Sequence, residues 1–351
     1  MSAFAKKIIV WQLREGRHGL PWQETRDPYR IWLAEIMLQQ TQVAAVIPYY
    51  QRFLSRFPDV AALAKADADD VMQQWAGLGY YARARNLHRA ARQIVERHQG
   101  VFPASFAAIL ALPGIGHSTA AAISAFAFGE RCAILDGNVK RVFTRHFGVE
   151  GDPTSKLVED ALWLIANRKL PKTDIEIYTQ GLMDLGATVC TRTQPLCLLC
   201  PVRKSCMAFN EGRIDELPGK GRKREMPHRQ TRMLVILSRG EVLLEKRPPT
   251  GIWGGLWCLP ELPVEQNVFV VLHKRYAMKG RTVRELERVE HGFTHYSLSI
   301  FPVEIAITGT DARAKVPGLM WINLDEAMGA AIPAPVKRIL RARQTLTPSG
   351  D

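Results

Sequence analysis

No run of 18 consecutive apolar residues occurs in the sequence, so no membrane-spanning helix is expected. Acidic residues are in short supply: 34 Asp and Glu stand against 47 Lys and Arg, a net charge of +13 over 351 residues. That excess points to a polyanionic partner, with nucleic acid ahead of an anionic membrane surface. Cysteine is scarce as well. Of the six, Cys190, Cys197, Cys200 and Cys206 fall in one 17-residue window, the pattern of a ligand cluster and not of a disulfide framework. The short apolar stretch at the start gives way to charges, unlike a secretory leader. A reducing, cytoplasmic setting is expected. No internal repeat is seen, and the length favours two domains or more.

Charge is also missing locally. Residues 31–51, IWLAEIMLQQTQVAAVIPYYQ, carry one charged side chain, Glu35. At helical spacing Glu35 shares a face with Ile31 and Leu38, while Trp32, Leu33, Ile36 and Met37 cover the rest. A carboxylate among apolar neighbours either finds an arginine, with Arg26 and Arg83 as candidates, or holds its proton near neutrality as a general acid. The uncharged run Gln39-Gln40-Thr41-Gln42 follows, either a base-contacting set of amides or a helix-end hydrogen-bond cluster.

The stretch 112–138 organises the first half. Leu112-Pro113-Gly114-Ile115-Gly116 reads as a tight turn in which both glycines adopt backbone conformations that a Cβ would obstruct. A small-residue helix through Ala120, Ala121, Ala122 and Ala125 opens at His117 or Ser118. Free N–H groups at such a helix start form a phosphate-binding device. A second turn, Leu135-Asp136-Gly137-Asn138, opens the next helix, with Asp136 placed either as its N-cap or as a reactive carboxylate. Before this stretch, residues 75–86 set the Tyr80-Tyr81 pair between glycines and the arginines Arg83 and Arg85, fit for stacking on bases and holding phosphates, or for ordinary core and surface. The cysteine spacing, Cys-x6-Cys-x2-Cys-x5-Cys, suits a [4Fe–4S] cluster or a tetrahedral zinc ion.

From residue 212 the texture changes. Residues 212–231, with the basic run Arg222-Lys223-Arg224, read as an interdomain linker. Strands follow at 233–237 and 242–244 around a Ser238-Arg239-Gly240 turn, then an alternating strand at 296–307 and a helix at 335–343.

Taken together, LPW at 20–22, AEIMLQQTQV at 34–43, GLGYYARARNL at 77–87, LPGIGHSTA at 112–120, LDGNVKR at 135–141 and the four cysteines closely resemble the MutY-type adenine DNA glycosylases. These enzymes belong to the helix-hairpin-helix base-excision superfamily, whose sister group is endonuclease III. The resemblance implies a mainly α N-terminal half over 1–211, with a six-helix domain at about 21–130 and an iron–sulfur cluster domain from 1–20 plus about 131–211. It further implies an α+β Nudix-like domain at 232–345 that reads the lesion.

In that family reading Glu35 protonates adenine at N7 and Asp136 stabilises the sugar oxocarbenium ion, after the base is flipped from the duplex. One [4Fe–4S] cluster per chain is implied. The partner is double-stranded DNA carrying adenine opposite 8-oxoguanine or guanine, and the chain is expected as a monomer. Gln40, Tyr80, Arg83, Gly114, Gly116, Ser118, Asn138 and Lys140 are the expected DNA contacts, and Phe293, Thr294 and His295 the expected lesion readers. Position 118 is Ser where strand-nicking sisters carry a nucleophilic Lys, which implies a monofunctional enzyme; Lys140 remains as an incidental aldehyde trap. No metal-binding carboxylate box follows Pro260, so the second domain is expected to recognise and not to hydrolyse. The rivals are a bifunctional glycosylase/lyase and a non-catalytic mismatch-binding protein.

Overall fold

The computed structural model describes residues 1–221, 225–293, 295–307 and 317–345. The Arg222-Lys223-Arg224 run and Thr294 lie outside the described residues. The chain divides into two compact units, Met1–Lys65 with Asn86–Lys223, and Ala66–Arg85 with Arg224–Asp351.

The first unit is helical. Asp27 opens the helix Pro28–Leu38, its side chain accepting the Tyr29 N–H at 2.9 Å, with Pro28 in the first turn where its missing donor is harmless. Tyr29, Ile31, Trp32, Leu33, Ala34, Ile36 and Met37 are buried around almost the whole circumference, as the lack of charge required. The helix packs on His117–Phe128, whose buried Ala120, Ala121, Ala122 and Ala125 allow a close approach. That second helix ends at Gly129, in the left-handed region at φ +67°. The helix Gly137–Phe147 follows, and its apolar face joins Ala3–Glu15, Lys156–Lys169 and Ile175–Asp184 in one core containing Phe4, Ile8, Val139, Phe143, Leu162 and Leu182.

The 112–116 turn departs from expectation in one respect. Gly114 has φ +81°, and a Cβ there would lie 2.6 Å from Asn86 Cβ, so glycine is required twice over. Gly116 is different. It caps the next helix with φ −93°, and a Cβ would meet nothing within 4 Å.

The second unit holds an eight-stranded sheet among the described residues: β1 (His228–Ser238), β2 (Glu241–Lys246), β3 (Trp257–Cys258), β4 (Glu261–Leu262), β5 (Gly280–Glu285), β6 (Val289–Gly292), β7 (Ser297–Ile307) and β8 (Leu319–Asn323). The order β3-β2-β1-β7-β5 places β1 and β7 in parallel at the centre, with Leu234 opposite Val303. β1 and β2 form the expected hairpin, and Arg239 and Gly240 both take positive φ in its turn. β1 starts at His228, so the last four residues of the expected linker are strand. β7 is buried on both faces along most of its length and does not alternate, because a central strand next to a parallel neighbour has no solvated side. The helix Val268–Tyr276 closes one face through Leu272 and Tyr276.

By contacts, residues 66–85 group with the sheet unit. Gln73 Nε2 donates to Gly329 O at 3.0 Å, Arg85 Nη1 donates to Gly254 O at 2.6 Å, and Lys246 pairs with Asp69.

Substituting Gly114 by Ala is expected to destabilise the protein by about 1–3 kcal/mol, through left-handed backbone strain and the clash with Asn86. Gly116→Ala should leave stability within about 0.5 kcal/mol. Chemical denaturation of the two variants side by side checks both; equal losses would refute the distinction.

Candidate active site

Glu35 projects from Pro28–Leu38 into a cavity of about 430 Å³, within the usual range for a small-molecule site. Trp22, Ile31, Phe126 and Ile177 supply apolar walls, and Gln12, Arg26, Glu176 and Gln180 supply polar ones. Neither candidate arginine pairs with Glu35: Arg26 binds Glu176 at 2.8 Å, and Arg83 donates to backbone carbonyls. Burial pushes the Glu35 carboxyl up to about 8, and the nearby negative charge of Asp136 adds to the rise. Glu35 is therefore largely protonated at neutral pH, half-buried but open to the cavity.

Asp136 is both a helix cap and a neighbour of Glu35. Its Oδ1 accepts the Val139 N–H at 2.8 Å and its Oδ2 lies 3.4 Å from the donating Asn138 amide. Burial raises its pKa, but the Val139 and Asn138 donors and the Arg141 guanidinium favour the ionised form. The cap reading of Asp136 holds, and the same carboxylate stands close enough to Glu35 to act on it electrostatically. Ser118 contributes from the preceding helix: its hydroxyl accepts the Leu135 N–H at 3.0 Å and fixes the segment that enters the Asp136 turn. Asn138 in turn accepts from Arg141 at 2.8 Å. Lys140 is engaged elsewhere, paired with Glu159 at 2.8 Å.

Arg141 joins this turn to the cysteines. Its Nη2 also donates to Gly186 O at 2.6 Å and its Nε to Cys190 O at 2.6 Å. Gly186 sits in a π-helical turn, Leu185–Val189, and a Cβ there would lie 2.6 Å from Asn138 Cβ. Cys190, Cys197, Cys200 and Cys206 line one cavity with Arg145, Val189, Arg203, Phe209 and Ile214, and none is in a disulfide. Burial raises the thiols of Cys197, Cys200 (to about 12) and Cys206, so as thiolates they need a cation among them. Arg145 ties the loop down, donating to Thr191 O at 2.7 Å and Leu217 O at 2.8 Å and standing 3.5 Å from Cys190 Sγ. Four soft donors around a shared cavity fit a polynuclear cluster. Among the described residues no group of three or more His, Cys, Asp or Glu is placed to hold a single metal ion.

Gln40 and Tyr80 are both exposed and both take positive φ, +57° and +49°, uncommon for residues with side chains and found where a side chain is held for use. Arg83 differs from its expected role as a surface phosphate contact. It is 8% exposed, donates to Gly79 O at 3.1 Å and lies over the Trp75 and Tyr80 rings, so it braces the turn from within. In the sheet unit Phe293 stacks on Tyr296 with centroids 4.6 Å apart and lies near Trp253 at 5.4 Å and His291 at 4.6 Å; His295 is exposed beside it.

Sequence reasoning missed the cavity's far wall. Gln180 Nε2 donates to Asp184 Oδ1 at 2.8 Å, and fully buried Asp184 also accepts the Arg17 guanidinium at 2.7 Å. The Gln180 amide nitrogen is thus committed to Asp184, which fixes the amide of a residue that lines the cavity. The signal was present: Asp184 is the single charged residue between Glu176 and Arg192, as Glu35 is in its own segment.

Residues 33–168 match the HhH-GPD superfamily base excision DNA repair proteins, and residues 232–342 match the NUDIX domain. The adenine DNA glycosylase of Buchnera aphidicola subsp. Baizongia pistaciae is 35% identical over 338 residues, covering 96% of this chain and 95% of that protein. The Homo sapiens enzyme of the same name is 32% identical over 411 residues, covering 99% of this chain and 75% of that protein. A thermostable thymine-DNA glycosylase aligns with TM-score 0.55 at 31% identity, over 59% of this chain and 95% of that one. Endonuclease III in a non-covalent DNA complex shares the helical fold, with TM-score 0.51 at 20% identity over 60% of this chain and 94% of that one. With near-complete coverage at this level of identity, the chain belongs to the adenine DNA glycosylases, hydrolases of N-glycosyl bonds in base excision repair.

Proposed function

We propose that the enzyme excises adenine paired with 8-oxoguanine, and more weakly with guanine, from duplex DNA, leaving an abasic site. The observation that carries this is Glu35 at the cavity, its carboxyl raised to about 8 by burial and by the nearby charge of N–H-bonded Asp136. A flipped adenine offers N7 as an acceptor and its 6-amino group as a donor. Protonated Glu35 supplies the proton N7 requires, and the oriented Gln180 oxygen accepts from the amino group. Guanine carries a carbonyl at that position and would face the same oxygen unfavourably.

Proton transfer from Glu35 makes adenine a neutral leaving group. Asp136, ionised by its backbone donors, stabilises the oxocarbenium ion on the sugar, directly or through a transient covalent bond. The emptied Glu35 carboxylate then accepts a proton from the attacking water. Ser118 supplies no amine and its hydroxyl is held by Leu135, which supports a monofunctional enzyme. The basic excess supports duplex binding, Gln40 and Tyr80 present side chains for entry into it, and Asn138 and Gly116 lie at the two helix starts flanking Asp136.

We also infer that Cys190, Cys197, Cys200 and Cys206 hold a [4Fe–4S] cluster, which when bound cross-links the loop. The chain's own contribution is Arg145 and Arg141, which fasten that loop to Leu217 and to the Asp136 turn. For the lesion, Phe293 and His295 belong to the aromatic group that includes Trp253, and this placement supports their reading of 8-oxoguanine.

End-labelled duplex with adenine opposite 8-oxoguanine should break only after alkali, and Glu35→Gln should lower the single-turnover rate by about 10²–10⁴-fold while duplex binding persists. Breakage without alkali would mean lyase chemistry despite Ser118. The rate should fall as pH rises through about 8, where Glu35 loses its proton, and fall again on the acid side at a pH above the usual aspartate value, where Asp136 gains one. A rate rising through pH 8 would refute the acid role. Purified protein should be brown with about four irons per chain; a colourless protein with stoichiometric zinc would overturn the cluster.

A further inference from the structure

The Tyr80 turn and the Gly251–Leu256 turn are far apart in sequence and meet through one side chain. Tyr80 lies in a strained segment, with positive φ at Gly77, Gly79 and Tyr80 itself, and such a segment persists only where its surroundings over-determine it. Arg83 braces it from inside. Two residues on, in the first turn of the helix Ala82–His98, Arg85 Nη1 donates to Gly254 O at 2.6 Å.

The receiving turn is rigid. Gly255 N donates to Pro248 O at 3.0 Å, Leu256 N donates to Trp253 O at 3.0 Å, and a Cβ on Gly254 would lie 2.8 Å from Pro249 O. Trp253, held at φ +53° and buried, places its ring 5.4 Å from Phe293 and 5.7 Å from His291. A line of bonds therefore runs from the Tyr80-Tyr81 turn, where Arg85 N donates to Tyr81 O at 3.2 Å, through the Arg85 guanidinium to Gly254 and on to Trp253 and Phe293.

We propose that Arg85 is a positioning residue that couples the Tyr80 turn to the Phe293 turn, so that a duplex is gripped by Tyr80 in proportion to how the base opposite adenine seats on the sheet unit. The inference rests on the reading that Phe293 and its neighbours meet 8-oxoguanine. A guanidinium–carbonyl hydrogen bond is charge-assisted, and its loss leaves both turns individually intact while removing the bond that joins them directly; the Gln73 and Asp69 bonds to the sheet unit lie further from Tyr80 in sequence. The consequence is confined to selectivity: Arg85 touches neither the cavity of Glu35 nor the cysteines.

The test measures single-turnover adenine excision opposite 8-oxoguanine and opposite guanine in the full chain, for the wild type, Arg85→Ala, Arg85→Lys, Phe293→Ala and the Arg85→Ala/Phe293→Ala pair. Arg85→Ala is expected to slow excision opposite 8-oxoguanine by about ten- to a hundredfold, while the rate opposite guanine stays within about twofold and reports intact folding. Arg85→Lys, which keeps a donor, should recover part of the ratio. The double variant should be no worse than the poorer single variant, because both interrupt one line of contacts. Equal slowing on both substrates would assign Arg85 a purely structural part, and uniform weakening of duplex binding with a flatter salt dependence would assign it to a phosphate; either overturns the coupling. Additive losses in the double variant would overturn it as well. A wild type that does not distinguish the two opposing bases overturns the lesion reading itself, and the coupling with it, whereas a selective wild type beside an equally selective Arg85→Ala overturns the coupling alone.

Discussion

Two carboxyl groups that share one poorly solvated site cannot both be ionised at neutral pH without a large penalty, and the catalytic unit is arranged around that constraint. The two sites differ in donors. Asp136 sits at a helix start, where the Val139 N–H and the Asn138 amide face it and Arg141 adds a positive charge. Glu35 sits in the middle of a helix whose own N–H groups are spent, among apolar side chains, with no cation paired to it among the described residues. Burial raises both carboxyls, but the donors around Asp136 oppose the rise there and none opposes it at Glu35 among the described residues. That asymmetry follows from backbone geometry before any substrate arrives.

Holding that asymmetry takes support from three directions. Ser118 fixes the approach to the Asp136 turn by accepting from Leu135, and Gly114 lets the preceding turn pack on Asn86. Arg141 reaches back to Gly186 and Cys190, so the cysteine loop and the carboxylate turn form one hydrogen-bonded body. The π-helical turn at Leu185–Val189 is what brings the Gly186 carbonyl to that guanidinium, and Gly186 has no side chain because Asn138 occupies the space. A metal-bound loop in this arrangement would bear on the Asp136 turn by position, through Arg141 and the cap residues.

Much of this was legible in the sequence, and for local reasons. A single acid in the otherwise uncharged stretch 31–51, a Pro-Gly turn ahead of a small-residue helix, an Asp-Gly-Asn cap and a compact cysteine spacing are each set by neighbours within a few residues. What escaped was non-local. The cavity wall at Gln180 takes its meaning from Arg17, more than 160 residues away, through a shared buried carboxylate. Arg83, flanked by small and aromatic residues, has the sequence of a surface cation, yet the carbonyls of a strained turn draw it inward. The strand at 297–307 has the composition of a half-exposed strand but pairs in parallel at the sheet centre, a partner that periodicity cannot name. The bonds of Asp69, Gln73 and Arg85 to the sheet unit are likewise non-local, and the helical pattern of 66–85 does not name their partners.

The sheet unit applies the same electrostatic economy to a different end. Glu245 on β2 and Glu261 on β4 are acids of the kind that gather a divalent cation when left unneutralised. Here Arg275 pairs with Glu245, the Tyr276 hydroxyl donates to the same carboxylate at 2.9 Å, and Arg247 pairs with Glu261, which also accepts the Thr231 hydroxyl at 2.9 Å. With their charge answered by fixed guanidinium groups, these carboxylates hold strands and helix together. The aromatic group at Trp253, Phe293 and Tyr296 is held instead by ring contacts, with Arg229 over the Tyr296 ring at 4.8 Å. As with Asp184 and Arg17 in the helical unit, acids here serve the fold by meeting a fixed guanidinium.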